Sequence, residues 1–83
     1  MLGDGRHASV ASVARWLEVN PNLPSRQREI ASVFTATAGY LLKHLKDGPE
    51  LTAGLRKLLE AKDACVRQSL ADEEPRNEWK RAG

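Results

Sequence analysis

Apolar residues recur along residues 51–70 at the spacing of one helix face. Leu51, Leu55, Leu58, Lys62, Cys65 and Ser69 follow the i, i+4, i+7 rhythm, and Leu59, Val66 and Leu70 widen that face into a broad band. Lys62 is a charge inside an otherwise apolar row. Pro49 suits the first helical position, and Asp72-Glu-Glu-Pro75 closes the pattern, so a helix is predicted over 49–71. Upstream, Ile30, Phe34, Thr37, Leu41 and Leu45 define the buried face of a second helix over 26–46, with Val33, Ala38 and Tyr40 beside it. Ser25 can cap its start. Lys43, His44 and Lys46 suit the negative end of its dipole, and Gly48 can take the left-handed conformation that terminates a helix. Val10, Val13, Ala14 and Leu17, flanked by Trp16, mark a shorter helix over 8–19. Asn20-Pro-Asn-Leu-Pro24 then reads as a loop, because each residue before a proline is pushed out of the helical region. The Gly-rich residues 1–5 are expected to be mobile, and residues 73–83, polar apart from Trp79, to form a flexible tail.

These elements predict an all-α fold. A long antiparallel two-helix hairpin, preceded by a shorter N-terminal helix, forms one domain over 6–72. One partner helix cannot cover both sides of the 49–71 helix, with Leu58 and Cys65 on one side and Leu59 and Val66 on the other. A chain of 83 residues is also marginal alone and needs a staple. Cys65 is the only cysteine, so no intrachain disulfide can form, and neither His7 nor His44 has a cysteine at metal-ligand spacing. Self-association into a homo-oligomer is therefore the predicted solution. Gly39 and Gly54 lie inside predicted helices, where each costs about 1 kcal/mol relative to alanine, so a close helix crossing or a close ligand is expected at them. Arg56 with Glu60, and Asp63 with Arg67, are spaced as i, i+4 ion pairs.

Charge narrows the function. The formal net charge is +2 with both signs interspersed, which is not the basic excess of a dedicated nucleic-acid binder. The helices are also too long for a helix-turn-helix centred on Lys46 to Gly48. No apolar run reaches the roughly 18 residues of a membrane span, and the start lacks the pattern of a signal peptide, so the expected location is the cytoplasm. Catalysis needs a nucleophile with a base, paired carboxylates or a metal cluster, and none is evident. The chain is read as a non-enzyme with no cofactor and no metal, and Cys65 as a small packing residue.

Three features still suggest an anionic ligand. Lys62 carries two readings: an amine that snorkels to water along the apolar face, or one held at a subunit seam to meet a phosphate. Arg15 beside Trp16 offers a guanidinium and an aromatic plate, the parts that hold a phosphate and stack a base. Arg26 and Arg28 open the second helix, whose N-terminal N–H groups already favour anions.

The run Leu58-Leu-Glu-Ala-Lys-Asp-Ala-Cys-Val-Arg67 resembles a known family, with weaker matches before it. Those are Arg15-Trp-Leu-Glu-Val-Asn-Pro-Asn-Leu-Pro24, the Ile30, Phe34, Ala38, Leu41 pattern, and the turn at Pro49 and Glu50. Together they resemble the helical hairpin domain of phage and prophage cyclic-nucleotide sponges, the anti-CBASS and anti-Thoeris proteins. The likeness spans roughly residues 15–70. It implies an oligomer that sequesters cyclic di- or trinucleotides between protomers without cleaving them, in the host cytoplasm if the chain is phage-encoded. The candidate ligand-binding residues are then Arg15, Trp16, Arg26, Arg28, Phe34, Lys62 and Arg67. Two positions depart from the pattern: Val19 stands where an aromatic residue is common, and residues 31–36 contain no lysine. The alternative reading is a small helical structural or protein-interaction module with no small-molecule ligand.

Overall fold

The structure, a computed structural model, describes residues 1–74. All regular structure among them is helical: α1 (Ala8–Ala14), a 3-10 turn (Arg15–Leu17), α2 (Ser25–His44) and α3 (Pro49–Asp72). No helix among the described residues is long and apolar enough to cross a membrane. The tail expected beyond residue 74, with Trp79, lies outside the described residues.

Helix α1 is shorter than its apolar stripe predicts. His7 caps its start, Nδ1 accepting the Ser9 backbone N–H at 3.2 Å. It tightens into the 3-10 turn at Arg15, and Glu18 is already extended. The carbonyls that would continue the helix are taken by other elements. Thr35 Oγ1 of α2 donates to the Leu17 carbonyl, and Lys62 Nζ of α3 donates to the Trp16 carbonyl. Orphan carbonyls at a helix end must find such partners. The loop that follows is built as its prolines and asparagines suggest, the Asn20 side chain accepting the Asn22 N–H at 3.0 Å.

The expected caps of α2 are wrong at both ends. Pro24, not Ser25, is the N-cap, and Ser25 is the first helical residue. At the other end the chain turns extended at Leu45, and Gly48 is extended too, at φ 176°, rather than left-handed. A side chain from far upstream does the capping. Arg6 donates through Nη1 to the Leu42 carbonyl and through Nη2 to the Leu45 carbonyl at 2.7 Å. Pro49 does occupy the first turn of α3, with Glu50 at its positive end.

The core joins Val10, Val13 and Leu17 to Ala38, Leu51 and Leu55, with Leu2, Phe34, Leu41, Leu42, Leu58 and Leu59 packed around them. The inner face of α3 runs through Leu51, Leu55 and Ser69 as the periodicity predicts, but Cys65 is exposed. Each residue turns about 100° around a helix, so the inward path passes from Lys62 to Val66 and Ser69 and leaves Cys65 outside. On α2 the buried positions are Gln27, Ala31 and Ala38. Of the predicted face, Phe34 and Leu41 only flank the core, Thr37 is exposed, and Leu45 is half-exposed beyond the helix end. The reason is proximity. Helix α2 meets both α3 and the 3-10 turn, and only small side chains fit where backbones come close. At the start of α2, buried Gln27 donates from Nε2 to Ser69 Oγ at 3.1 Å and Glu73 Oε2 at 2.6 Å. Glu73, expected in a flexible tail, is thereby held against α2.

Within residues 1–5, Leu2 and Gly3 pack against the helices, while Met1, Asp4 and Gly5 are exposed. Gly3 is buried at φ 83°, and a Cβ there would lie 2.8 Å from the Ala14 Cβ. Leu2 packs on the core and approaches Gly39 at ordinary contact distance. The other glycine expected at a close crossing, Gly54, has nothing near it and is exposed.

Candidate functional site

The loop 18–24 folds back over the junction of α2 and α3 and closes one side of an open groove of about 300 Å³. Its apolar lining comes from Leu23, Ala31 and Val66, and its polar rim from Asn20, Lys62, Asp63 and Arg67. The three charged groups come from α3. Residues 62, 63, 66 and 67 share one side of a helix because 3 or 4 positions complete a turn. The loop contributes Asn20 and Leu23 because its prolines prevent the chain from continuing as helix.

Within the groove the charges have different tasks. Lys62 is half-buried, and its amine is bonded to the Trp16 carbonyl. That bond lies in an exposed setting and uses one of the three ammonium donors, so the stem packs while the amine sits at the groove's rim. Asp63 and Arg67 are exposed and do not pair. Nor do Arg56 and Glu60. Among the described residues the ion pairs are Met1 with Asp4 and Arg6 with Asp47. The expected i, i+4 pairs remain open because surface pairs gain little over hydration.

The other candidates scatter. Arg15 lays its guanidinium over the Trp16 ring, 5.1 Å from the ring centroid, and the indole is 59% exposed. This pair is adjacent to the groove only through the Trp16 carbonyl held by Lys62. Arg26 and Arg28 are exposed in the first turns of α2 and do not line the groove. Phe34 is half-buried against the core and does not line the groove. Of the seven predicted residues, the structure gathers Lys62 and Arg67 in one groove, sets Arg15 on Trp16, and leaves the remaining three apart. Asn20, Leu23 and Asp63 belong to the groove and were not predicted. A loop of prolines and asparagines before a helix start was the available signal.

A second polar cluster ties the chain's start to the turn between α2 and α3. Arg6 Nε donates to Asp47 Oδ1 at 2.6 Å, and the His7 backbone N–H donates to Asp47 Oδ2 at 2.7 Å. The His7 N–H, followed by the Arg6 guanidinium, holds the Asp47 carboxyl below the usual carboxylate range. No group of three His, Cys, Asp or Glu side chains among the described residues could hold a metal ion. No protein-family model matches this chain, and no curated protein or solved structure matches it either.

Proposed function

We propose that this chain is a noncatalytic binder that sequesters a cyclic oligonucleotide, acting as a homo-oligomer built on an antiparallel hairpin of α2 and α3. The groove bounded by loop 18–24 and α3 carries the reading. Its lining offers a face for a base, and Arg67 on its rim offers a cation for a phosphate. The stacked Arg15 and Trp16 present a second plate on which a base can rest. The resemblance of residues 15–70 to cyclic-nucleotide sponges points to the same ligand class.

In this reading the protein makes and breaks no bond. It lowers the free concentration of a signal by mass action, so it needs affinity and abundance rather than a reactive group. Lys62 serves indirectly, fixing the turn that carries Trp16. Self-association is supported by apolar side chains that the chain leaves outside. Val33 and Tyr40, seven residues apart on the outer face of α2, are 62% and 65% exposed. Calorimetric titration with cyclic di- and trinucleotides, alongside light scattering, tests the reading. Expected are saturable binding by an oligomer and at least tenfold weaker binding by Arg67→Ala with an unchanged circular dichroism spectrum. A folded oligomer that binds none of the ligands overturns it.

The exposed Val33 and Tyr40 also favour a second reading, a helical protein-interaction module without a small-molecule ligand. Self-association unaffected by nucleotides, with no heat of binding, would select it.

A further inference from the structure

We propose that Asp63, together with Arg67, reads the edge of a guanine base in the groove. The inference rests on the cyclic-nucleotide reading and adds base selectivity to it. Asp63 and Arg67 stand one helical turn apart on the groove's rim, and their side chains are exposed and not paired with each other. What sets them apart from the open Arg56 and Glu60 is their place on the rim of a groove with an apolar lining. Left open, they form an acceptor next to a donor.

The Watson–Crick edge of guanine is the complement of that arrangement. It carries the O6 acceptor beside the N1–H and N2–H donors. A carboxylate takes both N–H groups in a bidentate pair, and a guanidinium donates to O6. Adenine places a lone pair at N1, where guanine has a hydrogen. That lone pair faces a carboxylate oxygen, acceptor against acceptor, so the bidentate pairing is lost. Leu23 and Val66 supply the flat apolar contact against which the base lies. Lys62 lies in the same lining with one of its three donors on the Trp16 carbonyl.

Calorimetric titration of the full chain with cyclic di-GMP and cyclic di-AMP tests this. The expected result is a preference for cyclic di-GMP of about ten- to a hundredfold. In Asp63→Asn the ratio of the two affinities should fall to about one, while circular dichroism and the oligomeric state stay as they were. Equal affinities in the natural chain, or a preference that survives Asp63→Asn, overturn the role of Asp63 and leave sequestration standing. Failure of the folded chain to bind either compound, or any other cyclic nucleotide, removes both readings.

Discussion

The amine of Lys62 donates to the backbone carbonyl of Trp16, forty-six residues earlier in the chain. This bond fixes the end of the 3-10 turn to the middle of α3, and it replaces a helical hydrogen bond that α1 never forms. Lys62→Met keeps the apolar stem and removes the donor. Stability should fall by about 0.5–1.5 kcal/mol, read as a lower urea midpoint. Lys62→Arg should recover part of the loss. A lysine that merely snorkelled would give no change in either variant.

Gln27 and Ser69 are 1% and 2% exposed and joined by a hydrogen bond. Gln27→Ala empties buried volume and strips partners from Ser69 and Glu73, so it should cost about 2–3 kcal/mol. Ser69→Ala should cost about 1 kcal/mol. Because the two residues share a bond, the double variant should cost less than the two losses added. Urea unfolding of all four proteins checks the coupling.

The glycines separate backbone strain from steric contact. Gly3 and Gly5 both have left-handed backbones, at φ 83° and 78°. Only Gly3 is also hemmed in, with the Ala14 Cβ 2.8 Å from where a Cβ would stand. Gly5→Ala should destabilise by about 1–2 kcal/mol and Gly3→Ala by about 2–4 kcal/mol. Gly54, helical with open space around it, should behave oppositely. Gly54→Ala should raise stability by about 0.5–1 kcal/mol. Thermal unfolding should place Gly54→Ala above the natural chain, Gly5→Ala below it and Gly3→Ala lowest.

Asp47 introduces a dependence on pH. Its folded carboxyl titrates below the ordinary value of 3.8, held there by the His7 N–H and then by Arg6. The unfolded chain therefore takes up this proton first. The contribution is fully present above about pH 4 and is lost as the pH falls through the lower folded value. Asp47→Asn should remove this component, so its urea midpoint should fall less steeply than that of the natural chain as acid is added. Equal slopes would mean that the contact does not hold the carboxylate in solution.

Much of the secondary structure was legible from periodicity. The spacing of Leu51, Leu55 and Leu58 and the proline at position 49 place α3 almost to the residue. The inner side of α2 was not legible, because ranking by hydrophobicity favours Ile30, Phe34 and Leu45 over Ala31 and Ala38. Burial there is decided by how closely another backbone approaches, and large side chains are kept from such places. The candidate site was legible only in part. Lys62 and Arg67 stood out as cations on a helix, whereas Asn20 and Leu23 reach them only because the loop folds back.

What the sequence alone determined is therefore local. Helical hydrogen bonds close within four residues, and loops follow from prolines and asparagines, so short stretches suffice to specify them. The tertiary structure decided how distant polar groups are partnered. Arg6 finds Asp47 forty-one residues away, Gln27 finds Ser69 forty-two residues away, and Lys62 finds Trp16. No periodicity announces such pairs, because each depends on which helix faces meet and which carbonyls the meeting leaves unsatisfied.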